Sequence, residues 1–82
     1  MPDKLKNLSG LQVIKILINR FSFILEAQKG SHVKLSRKGD YGKQCLTIPK
    51  HRDLDKGTIK AIYNQCLAYI PETELHPHFY SE

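Results

Sequence analysis

"FILEAQKGSHVKLS", residues 23–36, decides the fold, because it holds two runs of alternating apolar and polar residues around a glycine-serine corner. A period of two is typical of strands that bury one face. Gly30 and Ser31 fit a tight turn between such strands. The stretch therefore predicts a β-hairpin with His32 at the head of its second strand.

A third strand follows the hairpin. "KGDYGK", residues 38–43, is polar and carries two glycines, as hairpin loops do, and "QCLTIP", residues 44–49, alternates again until Pro49 ends it. We expect one face of this sheet in the core and the other in water. The residues predicted to face the core are Phe23, Leu25, Val33, Leu35, Leu46 and Ile48. The residues predicted on the open face are Glu26, Gln28, His32, Lys34, Ser36 and Thr47.

Two amphipathic helices flank the strands. Ser9 and Gln12 form a predicted capping box at the start of the first helix, residues 9–21. Asp55 is the predicted N-cap of the second helix, with Thr58 as an alternative, and Pro71 ends it. The apolar stripe of the first helix is Val13, Ile14, Leu17, Ile18 and Phe21, and that of the second is Ile59, Ile62, Tyr63, Cys66 and Ile70. The sequence predicts an α+β fold of order α-β-β-β-α, with both helices on one face of a three-stranded antiparallel sheet.

The bulk composition limits what the protein can be. At 82 residues the chain is expected to be a single domain with a small core, residues 1–82. Residues 9–70 carry the motifs, and 71–82 form a tail without clear periodicity. A formal charge of +5, from 13 Lys and Arg against 8 Asp and Glu, suits a polyanionic partner, either nucleic acid or an acidic protein. Cys45 and Cys66 make no disulfide framework, and no segment resembles a signal peptide or a membrane span. We expect a cytoplasmic protein.

His32 is the residue with the clearest chemical potential. Alternation places it opposite Val33 and Leu35, so we expect it to be exposed rather than in the core. An imidazole takes or gives a proton near physiological pH. No carboxylate is spaced to form a triad with His32 and Ser31, and the other histidines are too scattered for a metal site, so we expect no metal and no cofactor. A lone exposed histidine is more often an ordinary surface residue.

The substrate could supply what such a site lacks. RNA carries its own nucleophile in the 2′-hydroxyl group, so a base that removes that proton is enough to start backbone cleavage when cations neutralise the phosphate. His32 lies in sequence among the candidate cations Lys29, Lys34 and Arg37. Lys56 and Lys60 point outward at the start of the second helix, where a phosphate site and a solvated charged face are equally good interpretations.

Longer motifs add a resemblance to a known family. The stretches "SGLQVIKILINRFSFILEAQKGSHVKL" and "LTIPKHRDLDKGTIKAIYNQCL" resemble the HicA (YcfA-like) mRNA interferase toxins of bacterial and archaeal toxin–antitoxin pairs. The most specific pieces are Gln28-Lys29-Gly30-Ser31-His32, the "TIP" that ends the third strand, and Lys56-Gly57-Thr58-Ile59. The resemblance runs from about Ser9 to Leu67. Members often carry an arginine at the position of Ala27.

The resemblance implies a fold like that of double-stranded-RNA-binding domains. It implies a metal-independent endoribonuclease that cleaves mRNA by histidine general acid/base catalysis, with His32 as the catalytic residue. The RNA-binding positions that we expect are Lys29, Gly30, Ser31, Lys34, Lys56 and Lys60. It also implies a HicB-type antitoxin that covers the histidine. The alternatives are a non-catalytic RNA-binding module of the same fold and a basic surface that mainly docks an acidic partner.

Overall fold

The computed structural model of the chain describes residues 3–81. The elements in chain order are β1 (Lys4–Leu5), α1 (Gly10–Phe21), β2 (Ile24–Lys29), β3 (His32–Gly39), β4 (Gly42–Pro49), α2 (Lys56–Cys66), α3 (Glu72–Phe79) and β5 (Tyr80–Ser81). Strands β2, β3 and β4 form an antiparallel sheet with β3 in the centre, and β1 pairs with β5 apart from it. The α+β class and the α-β-β-β-α order of the central elements are confirmed.

The helix starts follow the predicted caps. The Gln12 amide N–H donates to Ser9 Oγ at 3.1 Å, and Ser9 N–H donates to Gln12 Oε1 at 2.8 Å, so the capping box is complete. Asp55 is confirmed as the cap of α2, because its Oδ1 accepts from the Thr58 amide at 2.7 Å. These bonds fix the N-termini of both helices.

The helix layer and one face of the sheet share a single core. The fully or nearly fully buried side chains include Val13, Leu17, Val33, Leu35, Leu46, Ile48, Ile59 and Cys66. Burial also raises the pKa of the Cys66 thiol to about 12, so this cysteine is a packing residue. Ile18, which we expected in the stripe of α1, is 37% exposed because it lies at the margin of that stripe.

Because of a β-bulge in β2, some side chains of this strand lie on the opposite face of the sheet from the one predicted. The register moves between Leu25, opposite Leu35, and Ala27, opposite Lys34, so one extra residue enters β2. Directly opposed residues share a face, so Gln28, opposite Val33, lies on the helix side and not on the open face as predicted. Leu25 faces the helix side but is 57% exposed, because β2 is an edge strand that the helices do not cover.

Ser36 also departs from the prediction of an open-face residue in water. It pairs with Ile24 on the open side of the central strand, but its small side chain is 4% exposed. The longer side chain of Glu26 reaches Lys34 and Lys43 on the same face, and the Ser36 hydroxyl contributes to the lowered pKa of its carboxyl group.

The C-terminal segment is a structured part of the core and not an unpatterned tail. Helix α2 ends at Cys66, earlier than predicted, and Pro71 precedes a further helix, α3, in which Leu75 and Phe79 are fully buried. The amide of Lys6 donates to the Phe79 carbonyl at 2.8 Å, beside the pairing of β1 with β5. The N- and C-terminal segments are thus joined to each other and to the core.

Tyr63 ties α3 to α2. Its hydroxyl donates to Glu72 Oε2 at 3.0 Å. Burial, with the neighbouring Glu72 carboxylate, raises the pKa of the Tyr63 phenol to about 12. The phenol therefore stays protonated and keeps donating throughout the neutral pH range.

Gly10 allows α1 to approach the end of β4 closely. Its amide donates to the His51 carbonyl at 2.9 Å. A Cβ at this position would lie 2.0 Å from the Pro49 carbonyl oxygen and 2.8 Å from Lys50 Cα, and both are backbone atoms that cannot rotate away. Only glycine fits there without moving α1 away from the sheet.

We expect Gly10→Ala to lower the free energy of unfolding by about 1–3 kcal/mol, the usual range for overpacking. Gly57→Ala is the matched control, since its new Cβ meets only Asp55 Oδ1 at 3.4 Å inside α2. The control is expected to raise stability by about 0.5–1 kcal/mol, because alanine is the better helix former. Urea denaturation of both variants measures this, and equal stability of the two would contradict the close approach.

Candidate nucleic-acid interface

The turn before His32 presents the imidazole at one end of the sheet. Lys29 pairs with His32 across the two-residue turn of Gly30 and Ser31. Gly30 has φ +59°, as the first central residue of a type II′ turn requires, and glycine adopts it without strain. His32 is exposed, as predicted. Within residues 3–81 the side-chain hydrogen bonds and ion pairs of histidines involve His51 and His76 and not His32, so its exposed imidazole is available to a ligand.

The bulge brings a second cation onto the face of His32. Directly opposed residues share a face, so Lys29 lies on the open side with His32, and Lys34 lies there two residues further along β3. Strict alternation from Leu25 would have sent Lys29 to the helix side. The extra residue in β2 restores it to the open face. Lys29, His32 and Lys34 thus form an exposed cationic group at one end of the sheet.

Glu26 is an acidic residue on this face that forms ion pairs with two lysines. Its Oε2 lies 3.2 Å from Lys34 Nζ, and its Oε1 forms a second ion pair with Lys43. Hydrogen bonds from Lys43 and then from Lys34 lower the pKa of Glu26 to about 2. The Lys34 ammonium is therefore already paired, and a phosphate must compete with the Glu26 carboxylate for it.

Cross-strand register alone does not reveal this pair. A two-residue turn fixes Lys29 opposite His32, but counting back along a regular β2 sets Glu26 opposite Leu35, on the helix side. The pair with Lys34 needs the bulge, which alternation does not predict. The ion pair between Glu26 and Lys43 needs the third strand as well.

The end of β4 brings a further segment to the His32 turn. His32 pairs with Pro49, the last residue of β4, and the Lys50 amide donates to the Ser31 carbonyl at 2.5 Å. His51 Nε2 lies 3.3 Å from Ser31 Oγ, within hydrogen-bond distance. From the sequence, His51 was one of several scattered histidines and part of a charged connector that could contact a phosphate. The structure places it beside the turn that carries His32.

Lys56 and Lys60 lie apart from this group, on α2 in the helix layer. Both are exposed, and within residues 3–81 no hydrogen bond or ion pair links them to the His32 turn. Residues 50–55 connect β4 to α2, so α2 begins at the same end of the sheet as His32. The Thr58 amide that a phosphate could have used is already bonded to Asp55, whose pKa is lowered by that bond.

Arg37, which its sequence position placed among the cations near His32, points to the helix side instead. Its guanidinium donates to the Phe21 carbonyl at 2.7 Å, to the Tyr69 carbonyl at 3.0 Å and to Gln44 Oε1 at 2.5 Å. It also lies 4.7 Å above the centre of the Phe23 ring. Arg37 therefore bonds the last residue of α1 and the turn between α2 and α3 to the sheet, and it is not available to a ligand on the open face.

A groove of about 810 Å³ lies elsewhere, between β1 and α1. Its lining includes the cations Lys4, Lys6, Lys15 and Arg20 together with His78. Burial, followed by the charges of Arg20 and Lys6, lowers the pKa of His78. The groove is a second basic surface, and His32 is not part of it.

Between residues 3 and 81, no three or more His, Cys, Asp or Glu side chains are grouped to hold a metal ion. No helix in that part of the chain has the length and apolar character needed to cross a bilayer.

The order of the elements and the three-stranded antiparallel sheet are those of a small α+β domain of the double-stranded-RNA-binding-domain type. One face of the sheet is open and carries basic residues. A family model described as "HicA toxin of bacterial toxin-antitoxin" matches residues 10–67. The chain belongs to the HicA toxin family, and it is the toxin of a toxin–antitoxin system with an antitoxin as its partner. Comparison with curated proteins finds no match, and comparison with solved structures finds none either.

We expect Glu26→Gln to strengthen binding of a single-stranded RNA oligonucleotide several-fold, because it removes a negative charge and releases Lys34 and Lys43 to bind phosphate. The slope of log K against log salt should become steeper by about 0.7 for each lysine that gains a phosphate contact. Stability should change little, since exposed ion pairs contribute little to folding.

The matched control is Glu74→Gln, which makes the same change of charge on α3, in the helix layer. Fluorescence anisotropy at several salt concentrations measures both variants. Equal affinity gains for the two substitutions would show that only net charge matters, and would contradict a specific competition at Lys34.

Proposed function

We propose that this toxin is a metal-independent endoribonuclease that cleaves mRNA, with His32 as its general base. The single observation that supports the proposal best is the placement of His32: an exposed imidazole, free of protein partners within residues 3–81, on the same sheet face as Lys29 and Lys34. The family match makes an RNA-directed toxin the first function to test.

The chemistry uses a nucleophile that the substrate provides. His32 removes the proton from a ribose 2′-hydroxyl group, and the 2′-oxygen attacks the adjacent phosphorus. The bond from phosphorus to the 5′-oxygen of the next nucleotide breaks, which leaves a 2′,3′-cyclic phosphate and a 5′-hydroxyl group. Lys29 and Lys34 stabilise the negative charge that develops on the phosphoryl oxygens. DNA has no 2′-hydroxyl group and should not be cleaved.

The other residues expected to bind RNA would hold the strand and take no part in proton transfer. Gly30 and Ser31 lie in the exposed turn next to His32, where the backbone can approach the phosphate being cleaved. Lys56 and Lys60 would bind a more distant part of the same strand, because α2 begins at the same end of the sheet. We assign them to strand binding rather than to the reaction.

The partner and the setting follow from the same site. We propose that a HicB-type antitoxin covers the His32 turn, since a shallow exposed site is blocked by any protein that sits on it. The reaction would take place in the cytoplasm, where the transcripts are. No cofactor enters this mechanism.

A non-catalytic RNA-binding module is the second candidate, and the basic groove between β1 and α1 favours it. That groove offers Lys4, Lys6, Lys15 and Arg20 to a phosphate backbone without any contribution from His32. On that interpretation the protein would bind RNA and form no product.

We expect His32→Ala to lower the rate of RNA cleavage by roughly 10²- to 10⁴-fold in the presence of EDTA, the usual contribution of one positioned acid or base. RNA affinity should stay close to that of the wild type, since the neighbouring lysines remain. Gel analysis of a labelled RNA measures cleavage, and an oligodeoxynucleotide of the same sequence is the substrate control.

His76→Ala is the control variant, because His76 lies in α3, where it pairs with Asp3 at 2.8 Å and not with the His32 turn. It should cleave at the wild-type rate. Cleavage by His32→Ala at that same rate would refute the proposed base. Binding by the wild type without any product would favour the non-catalytic module.

A further inference from the structure

His51 is the second imidazole at the His32 end of the sheet. Its Nε2 lies 3.3 Å from Ser31 Oγ, and Ser31 is the chain neighbour of His32. Both histidines are exposed. His51 thus bonds the residue that precedes His32 in the chain, and both histidines lie at a surface that a nucleic-acid strand can reach.

Backbone bonds hold the main chain of His51 from two directions. The amide before it, that of Lys50, donates to the Ser31 carbonyl, and the carbonyl of His51 accepts from the Gly10 amide at 2.9 Å. Pro49, two residues earlier, pairs with His32. None of these bonds uses the His51 side chain, so they fix the backbone of His51, and the ring itself bonds only Ser31 Oγ among residues 3–81.

The remaining histidines are engaged elsewhere. His76 pairs with Asp3 and stacks on Tyr80 at 4.6 Å between ring centres, and His78 packs edge-on against Phe21 at 5.4 Å. Both belong to α3. Among the described histidines, His51 is the one that a bond connects to the His32 turn.

We propose that His51 is the general acid of the cleavage reaction and protonates the leaving 5′-oxygen. The inference rests on the proposed ribonuclease function, and it adds the group that completes the proton balance. His32 takes one proton from the 2′-hydroxyl group as the bond between the 2′-oxygen and phosphorus forms. The His51 imidazolium gives one proton to the 5′-oxygen as the bond between phosphorus and that oxygen breaks.

The balance of protons explains why a second group is needed. After cleavage His32 is protonated and His51 is neutral, and exchange with water restores both, so no oxidant, metal or co-reactant enters the step. A single imidazole would have to accept one proton and deliver another at two oxygens on opposite sides of the phosphorus. Two imidazoles avoid that requirement.

A substrate with a better leaving group tests this role. In an RNA whose scissile 5′-oxygen is replaced by sulfur, the thiolate departs without protonation. We expect His51→Ala to reduce cleavage of ordinary RNA by roughly 10²-fold or more, and to cleave the 5′-thio RNA within about threefold of the wild-type rate. His32→Ala should remain slow on both substrates, because the base is still missing.

Arg52→Ala is the matched control, since Arg52 is the exposed neighbour of His51 and can contribute only charge. It should slow both substrates by the same factor. An equal loss on both substrates for His51→Ala would overturn the acid assignment and leave His51 a phosphate-binding residue. Unchanged cleavage of ordinary RNA by His51→Ala would overturn it as well.

Failure of the ribonuclease proposal gives a different pattern. If the wild type leaves both RNAs intact, the proposed function fails, whatever the His51 variant does. If wild-type cleavage depends on His32 but not on His51, only the present inference fails. A bell-shaped dependence of the wild-type rate on pH that loses its alkaline limb in His51→Ala on the 5′-thio RNA is the expected companion result.

Discussion

The two-residue turn of Gly30 and Ser31 sets the pairing of β2 with β3, and every feature of the open face depends on that register. Because Lys29 is held opposite His32, both side chains leave the sheet on the same side. A slip of one residue would move His32 to the helix side and Val33 into water. Burial of Val33 and Leu35 opposes such a slip, so the core and the turn specify the same register.

The bulge in β2 allows Phe23 to lie in the core and Lys29 on the open face, which strict alternation would not allow. Phe23 must enter the core, where it is 1% exposed, while Lys29 must reach the open face. These positions are six residues apart, and an even separation puts both on one side of a regular strand. One extra residue at Glu26 changes the side between them. The same residue brings a carboxylate over Ser36 and beside Lys34.

The parts of the structure set by local chemistry could be predicted from the sequence. The capping box at Ser9, the cap at Asp55 and the hairpin at Gly30 depend on neighbours a few residues apart, and all three were expected. Exposure of His32 followed from its alternation with Val33 and Leu35.

The parts set by distant contacts could not be predicted. Arg37 is one more surface cation by its sequence position, but the carbonyls that bind it are distant in the sequence. Phe21 ends α1, and Tyr69 lies in the turn between α2 and α3. The same alternation that exposed His32 places Arg37 with Leu35, so its helix-side position could have been suspected. Helix α3 was missed because its buried residues, Leu75 and Phe79, are too few to give a clear period.

The open face depends on bonds made on the opposite side of the sheet and in the main chain. On the helix side of β3, Arg37 bonds the carbonyls of Phe21 and Tyr69. At the end of the sheet that carries His32, the Lys50 amide donates to the Ser31 carbonyl and the Gly10 amide donates to the His51 carbonyl. None of these anchors uses the side chain of His32 or His51. Substitution of His32 or His51 therefore leaves these backbone anchors in place, and the His51 variant loses only the side-chain bond to Ser31 Oγ. A shallow site of this kind has little buried surface with which to distort a substrate, so its reactivity has to come from the placement of proton-transfer groups around a nucleophile that the RNA itself carries.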